Sequence, residues 1–207
     1  KDNAMTALAP VPTSAQAREA FSPLAVVSVN VGLPREIGRL RSGEPVLSAI
    51  VKEPVTAATL YLDTLNLAGD RQADLTVHGG TDKAVYAYPA EHLPIWNAEL
   101  GAAFGPGSFG ENLTTQGWLE DAVRIGDVWV WGDAILQISQ PRSPCYKLAT
   151  VTGRPDLLKR FVQTGRSGWY FRVLRPGVVP VAGSLRLIGR DPANLSVLEA
   201  HRRLFDR

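Results

Sequence analysis

"VWVWGDAILQISQPRSPCYKLA", residues 128–149, holds the pattern on which the fold reading turns. Residues 128–131 and 134–139 are two strand-like runs, and Gly132-Asp133 between them is a two-residue link of the kind that joins antiparallel strands in a tight hairpin. The second run stops at Pro141, and a further proline at 144 stiffens the backbone around Arg142 and Ser143. Cys145 follows, the one cysteine of 207 residues. A lone cysteine is most often a small buried hydrophobe. Arg142 and Lys147 set cations on either side of this one, the setting of a reactive or metal-binding thiol. Local chemistry leaves both roles open.

Working outward, residues 24–31 (LAVVSVNV), 44–51 and 57–63 read as strands separated by turns, as do 83–89, 111–115, 168–177 and 183–190. Three segments carry helix signals. Residues 89–101 open on Pro89 and close on Gly101, and 154–165 have Pro155 near the start and Gly165 beyond the end. Residues 194–207 have Ser196 followed three residues later by Glu199, a capping box. Many short strands with few helices predict a mostly β protein with decorating helices, a closed or nearly closed β-barrel. The expected organisation is a flexible N-terminal segment at 1–23, a barrel domain at 24–190 and a C-terminal helix at 191–207. The apolar face of that helix would suit a homodimer.

Composition narrows the class. A hydrophobic content of 45% and a charged content of 20% are those of an ordinary globular protein. No apolar run approaches the ~20 residues of a membrane span, and the first twenty residues lack the apolar block of a secretory signal. Met5 reads as the natural start. A single cysteine excludes an internal disulfide and suits a cytoplasmic location. The net charge of +2 hides an asymmetry: residues 1–139 carry 9 Lys/Arg and 16 Asp/Glu, residues 140–207 carry 13 and 4. Either the two parts pair in the fold or the basic part meets an anionic ligand. No helix-turn-helix, RNA-binding or finger pattern accompanies it, so no nucleic-acid partner is expected.

Three histidines could serve a thiolate as base. His92 lies in a predicted helix as a surface or partly packed residue, and His201 stands beside Arg202 and Arg203, which suggests a solvated position. His78 ends a strand ahead of a Gly-Gly turn, where backbone can approach a ligand closely. One cysteine and three scattered histidines do not make a zinc site. In "GENLTT" (110–115), Asn112 can offer a donor and an acceptor to a heterocycle, or simply bond its own backbone at a turn.

Together, "LAGDRQADLTVHGGTDKAVYAYP" (67–89), "FGENLTT" (109–115), "RIGDVWVWG" (124–132) and "QISQPRSPCYKL" (137–148) resemble, in order and spacing, the motifs of the MOSC family, the molybdenum cofactor sulfurase C-terminal domain, and within it the bacterial YiiM type. The resemblance covers roughly residues 24–190. It implies a MOSC-type β-barrel in which Cys145 binds the metal of a molybdenum cofactor (Mo-molybdopterin). Arg142, Ser143 and Lys147 would lie near the cofactor's phosphate, and Lys83 and Asn112 would line the same pocket. His78 would be a catalytic acid. The terminal helix would be the remnant of a longer helical extension. The implied activity is reduction of N-hydroxylated compounds such as 6-N-hydroxylaminopurine. No flavin, nicotinamide or iron–sulfur motif is read from the chain, so electrons would come from a separate reductase. The alternatives are a carrier of the cofactor, or of sulfur as a Cys145 persulfide, and a metal-free thiol hydrolase using Cys145 and His78.

Overall fold

The computed structural model describes residues 22–71 and 79–205. Its strands are β1 (Leu24–Val31), β2 (Arg35–Arg39), β3 (Pro45–Ser48), β4 (Glu53–Pro54), β5 (Thr59–Leu62), β6 (Val85–Pro89), β7 (Leu113–Gln116), β8 (Val128–Trp131), β9 (Ala134–Pro141), β10 (Trp169–Arg175), β11 (Gly177–Pro180) and β12 (Gly183–Gly189). Its helices are α1 (His92–Leu100), α2 (Tyr146–Thr152), α3 (Asp156–Thr164) and α4 (Val197–Phe205). None of them is long and apolar enough to cross a membrane.

The hairpin of β8 and β9 forms as its sequence requires, with Trp131 opposite Ala134 about the Gly132-Asp133 link. From it the sheet runs β12-β8-β9-β10-β6-β7-β1, and β1 pairs back onto β12, which closes a barrel of seven strands. Closure leaves β4 appended to the end of β1. Only β6 and β7 pair in parallel within the ring. A parallel pair needs a crossover, and α1 with the loop after it supplies one. Two small ribbons, β2 with β3 and β5 with β11, stand outside the ring.

Alternation in β6 divides the interior in two. Val85 and Ala87 point into the barrel, among Leu113, Trp129, Leu136, Ile138, Trp169 and Phe171. Tyr86 and Tyr88 point the other way, into an aromatic cluster with Trp96 of α1, Phe109, and Leu157 and Phe161 of α3. All five β6 residues are therefore buried. The period of 2 of a strand that is buried on both faces places one set in each core.

Several sequence boundaries shift. The 44–51 run is a strand only over Pro45–Ser48, and its remainder leaves the ribbon to line a cleft. The 168–177 run ends at Arg175, and Gly177–Pro180 forms a further strand on β5. β2, β4 and α2 carried no signal that was read. α2 begins directly after Cys145, where the two prolines had suggested only a strand end. The capping box of α4 forms: Ser196 N–H donates to Glu199 Oε2 at 2.7 Å and Glu199 N–H to Ser196 Oγ at 3.1 Å. Gly101 and Gly165 end α1 and α3 in the left-handed conformation, as expected of C-terminal glycines.

Candidate functional site

The chain leaving β9 carries Arg142 and Cys145 to a cleft on the Tyr86 side of β6, where they meet residues from four other segments. A cleft of about 630 Å³, open mouth included, is lined by Arg142, Cys145 and Lys147, by Lys83 and Tyr86, by Asn112, by Lys52, and by Asp70, among others. Cys145 has extended backbone (φ −125°, ψ 146°) and is half-buried just before α2. Five of the residues expected from the sequence are thus brought together: Cys145, Arg142, Lys147, Lys83 and Asn112. Ser143 is exposed and does not line the cleft. His78 lies outside the described residues.

Arg142 is 5% exposed. Its guanidinium carbon sits 4.9 Å from the Tyr86 ring centroid, and its side chain shares a hydrogen bond with Tyr170. Nη1 is buried with no hydrogen-bond partner among the described residues. Burial acts to lower its pKa, but Coulombic interactions with Tyr86, Tyr170 and Cys145 raise it overall, so Arg142 stays a cation. Burial also pushes both phenols up, with Arg142 acting against it, and both stay neutral. Lys147 Nζ donates to the Leu47 carbonyl at 3.1 Å, tying the β2–β3 ribbon to α2.

Asn112 is a brace, not a turn residue bonded to itself. Its Oδ1 accepts from Tyr86 N–H at 3.1 Å, and its Nδ2 donates to Asp70 Oδ2 at 2.9 Å and to the Asn30 carbonyl at 3.3 Å. The side chain therefore holds β6, the end of β1 and Asp70 in one place, with little capacity left for a heterocycle. Glu111 beside it is fully buried. Burial raises its carboxyl pKa against hydrogen bonds from Thr114, Gly107 and Phe109. Gly110 has φ +81°, and a Cβ there would lie 2.6 Å from Ile50 Cγ1, so only glycine lets this loop approach the 48–52 wall.

The loop also corrects the motif reading. "GPGSFG" at 105–110 has the G-x-G-x-x-G spacing of a dinucleotide fingerprint. Here it follows a helix and leads into a strand, the reverse of the required context. Two of its amides, Gly107 and Phe109, are already spent on the Glu111 carboxylate at 2.6 and 3.0 Å.

The other two histidines are packed rather than solvated. His92 is buried with Nε2 2.8 Å from Glu120 Oε2. His201 is 1% exposed, bonded to Ser167 Oγ and to the Val162 carbonyl. It lies one turn from buried Val197, an i, i+4 relation that marks it as inward-facing despite Arg202 and Arg203. Sequence reading also missed Lys52, Asp70 and Tyr86. Asp70 and Tyr86 stand within the 67–89 motif but were not singled out there, and nothing in the local sequence distinguishes Lys52; the fold brings all three to the cleft.

A seven-stranded barrel whose lone cysteine opens into a cationic cleft defines the class: the model of the MOSC domain matches residues 74–185, and the chain belongs to that family, which is associated with molybdenum-cofactor binding. Within the family it is of the YiiM type. It is 43% identical to YflK of Bacillus subtilis over 178 residues, 86% of this chain and 79% of that one. To YiiM of Escherichia coli it is 42% identical over 161 residues, 76% of this chain and 70% of that protein. A protein of Gibberella moniliformis named a reductase is 36% identical over 172 residues, which are 80% of this chain and 30% of that longer one. The crystal structure of YiiM from Geobacillus stearothermophilus superposes with a TM-score of 0.72 at 38% identity, covering 88% of this chain and 84% of that one.

Proposed function

We propose that the chain binds the molybdenum cofactor in the Cys145 cleft and reduces N-hydroxylated compounds such as 6-N-hydroxylaminopurine. The observation that carries this reading is the buried Arg142 Nη1, without a partner among the described residues, in the same cleft as the thiol. A buried cationic donor left unmatched costs free energy unless a ligand satisfies it. The donor set fits the cofactor: a soft thiol for the metal and a planar guanidinium for a phosphate. Cys145 would hold the metal. Arg142, supported by Lys83 and Lys147, would hold the phosphate, and Asn112 keeps the wall in register.

When bound, the cofactor supplies the two-electron chemistry that cleaves an N–O bond. The protein's own part is to bind, orient and exclude water. Tyr86, Phe109 and Tyr170 give the cleft aromatic walls beside its cations, which suits a planar substrate with polar edges. The likeness to a reductase supports a redox role, with electrons drawn from a separate reductase.

The test is expression in a host that makes the cofactor, followed by metal analysis and a reductase-coupled assay on 6-hydroxylaminopurine. The wild-type chain is expected to carry molybdenum and turn over. Cys145→Ser should keep the wild-type melting temperature yet lose metal and activity together, because a hydroxyl is a harder and far less acidic ligand. Full activity in the serine variant would remove Cys145 from the metal. A wild-type chain that holds the cofactor without turnover would be a carrier.

A further inference from the structure

Lys52 lies between β3 and β4, and its side chain is 6% exposed against an Asp70 side chain 2% exposed. Asp70 is fully engaged: Oδ1 accepts from Gly32 N–H and from the Lys52 ammonium, and Oδ2 accepts from Asn112 Nδ2. The ammonium has three N–H donors, and among the described residues only Asp70 accepts one of them. Both members of the pair line the cleft that Cys145 lines. A buried ion pair adds little net stability, because the cost of desolvating two charges offsets their attraction. A cation braced in this way, with donors to spare on the wall of a cleft, is placed to act on a ligand.

We propose that Lys52 is the proton donor to the oxygen that departs from the substrate, with Asp70 and Asn112 as positioning residues. The inference rests on the reductase reading above. In the net reaction, R–NH–OH + 2 e⁻ + 2 H⁺ → R–NH₂ + H₂O, the N–O bond breaks, nitrogen is reduced and oxygen leaves as water. The electrons come from the external reductase. One proton leaves Lys52 Nζ, which remains hydrogen-bonded to Asp70 as a neutral amine and is re-protonated from solvent; the second proton comes from solvent. Lys52 thus takes the role that the sequence had suggested for His78.

The experiment compares wild type, Lys52→Arg, Lys52→Ala and His78→Gln, each isolated from a cofactor-competent host. Molybdenum content, melting temperature, and kcat and KM for 6-hydroxylaminopurine are measured, the last with and without added methylamine. Lys52→Arg keeps the ion pair but holds its proton too tightly to give it up. It is expected to retain wild-type molybdenum and stability while kcat falls about 10²–10⁴-fold with little change in KM. Methylamine should restore part of the rate to Lys52→Ala and none to His78→Gln. Wild-type turnover in Lys52→Arg would overturn the proposal and return the pair to a structural role. Loss of molybdenum in step with activity in that variant would also overturn it, since the lysine would then be holding the cofactor. A wild-type chain that carries molybdenum but turns over no N-hydroxylated compound would overturn the reductase reading itself, and the proton donor with it.

Discussion

Arg142 lies with one face on Tyr86 and one nitrogen buried without a partner among the described residues, and opposing contributions follow. Stacking on the ring stabilises the folded chain by about 0.5–2 kcal/mol, while the unmatched buried donor costs roughly 1–3 kcal/mol. The hydrogen bond to Tyr170 adds about 0.5–1.5 kcal/mol to the stabilising side, so the contributions largely offset and Arg142→Ala should change the stability of the cofactor-free protein by no more than about 2 kcal/mol. Its affinity for a phosphate-bearing ligand should weaken by about 2–5 kcal/mol, roughly 30-fold to several-thousand-fold, because the partner charge would be left unpaired. Urea denaturation reads the first quantity and titration with pyrophosphate the second. Arg142→Lys should recover only part of the affinity, since an ammonium cannot reproduce the two-pronged geometry. Pyrophosphate binding that is unchanged in the alanine variant would move the anion away from this residue. Arg142 was legible in the sequence as a cation beside the cysteine. Its burial and its orphan nitrogen were not, because both depend on Tyr86 and Tyr170, which arrive from other strands.

At the scale of the element, α4 was read almost completely. Ser196 and Glu199 stand three apart, and that spacing alone dictates the reciprocal bonds. Ser196→Ala is expected to cost about 0.5–2 kcal/mol in thermal or chemical denaturation. Hydrogen bonds from the Ser196 backbone and hydroxyl lower the Glu199 pKa. A carboxylate whose folded pKa is depressed stabilises the fold above its unfolded pKa, and that contribution is lost as pH falls through the folded value. The stability difference between wild type and Ser196→Ala should therefore narrow as the pH is lowered through and below the ordinary carboxylate range; a difference independent of pH would mean that the box contributes nothing through Glu199. What the helix packs on was not legible. His201 reaches Ser167 and the end of α3, and Gly165 permits the approach: a Cβ there would lie 2.3 Å from Leu198 Cδ1. Such contacts join residues more than thirty positions apart, and no local pattern encodes them.

For the whole molecule, stability resides in the closed barrel. Leu136 is fully buried, opposite Trp129 of β8 on one side and Val173 of β10 on the other. Leu136→Ala should cost about 2–5 kcal/mol, a fall of roughly 5–15 °C in melting temperature for a chain of this size. A shift of only a degree or two would show that the barrel collapses to fill the space. The charge asymmetry also resolves at this scale. Much of the basic C-terminal part pairs with the acidic part: Arg166 with Glu99 at 2.9 Å, Arg172 with Asp82 at 2.8 Å, and Arg190 with Asp127. Arg142 and Lys147 instead turn to the cleft. Pairing within the fold thus accounts for part of the asymmetry, Arg142 and Lys147 are left for the anionic ligand proposed above, and composition could not have divided the two groups.

The sequence by itself determined the strand-rich class, the hairpin at 128–139, the helix ends and the segment that bears the thiol. Each of these is written in patterns a few residues long, in β-branched alternation, paired glycine and aspartate, capping spacings and prolines, and short-range sterics is enough to enforce them. Only the tertiary structure decided that β1 closes on β12, that Tyr86 faces outward beneath Arg142, and that Lys52, Asp70 and Asn112 meet in the cleft that Cys145 lines. Those relations join residues tens of positions apart. They exist because closing the barrel pairs both edges of each of its seven strands at once, and that closure is a property of the whole chain.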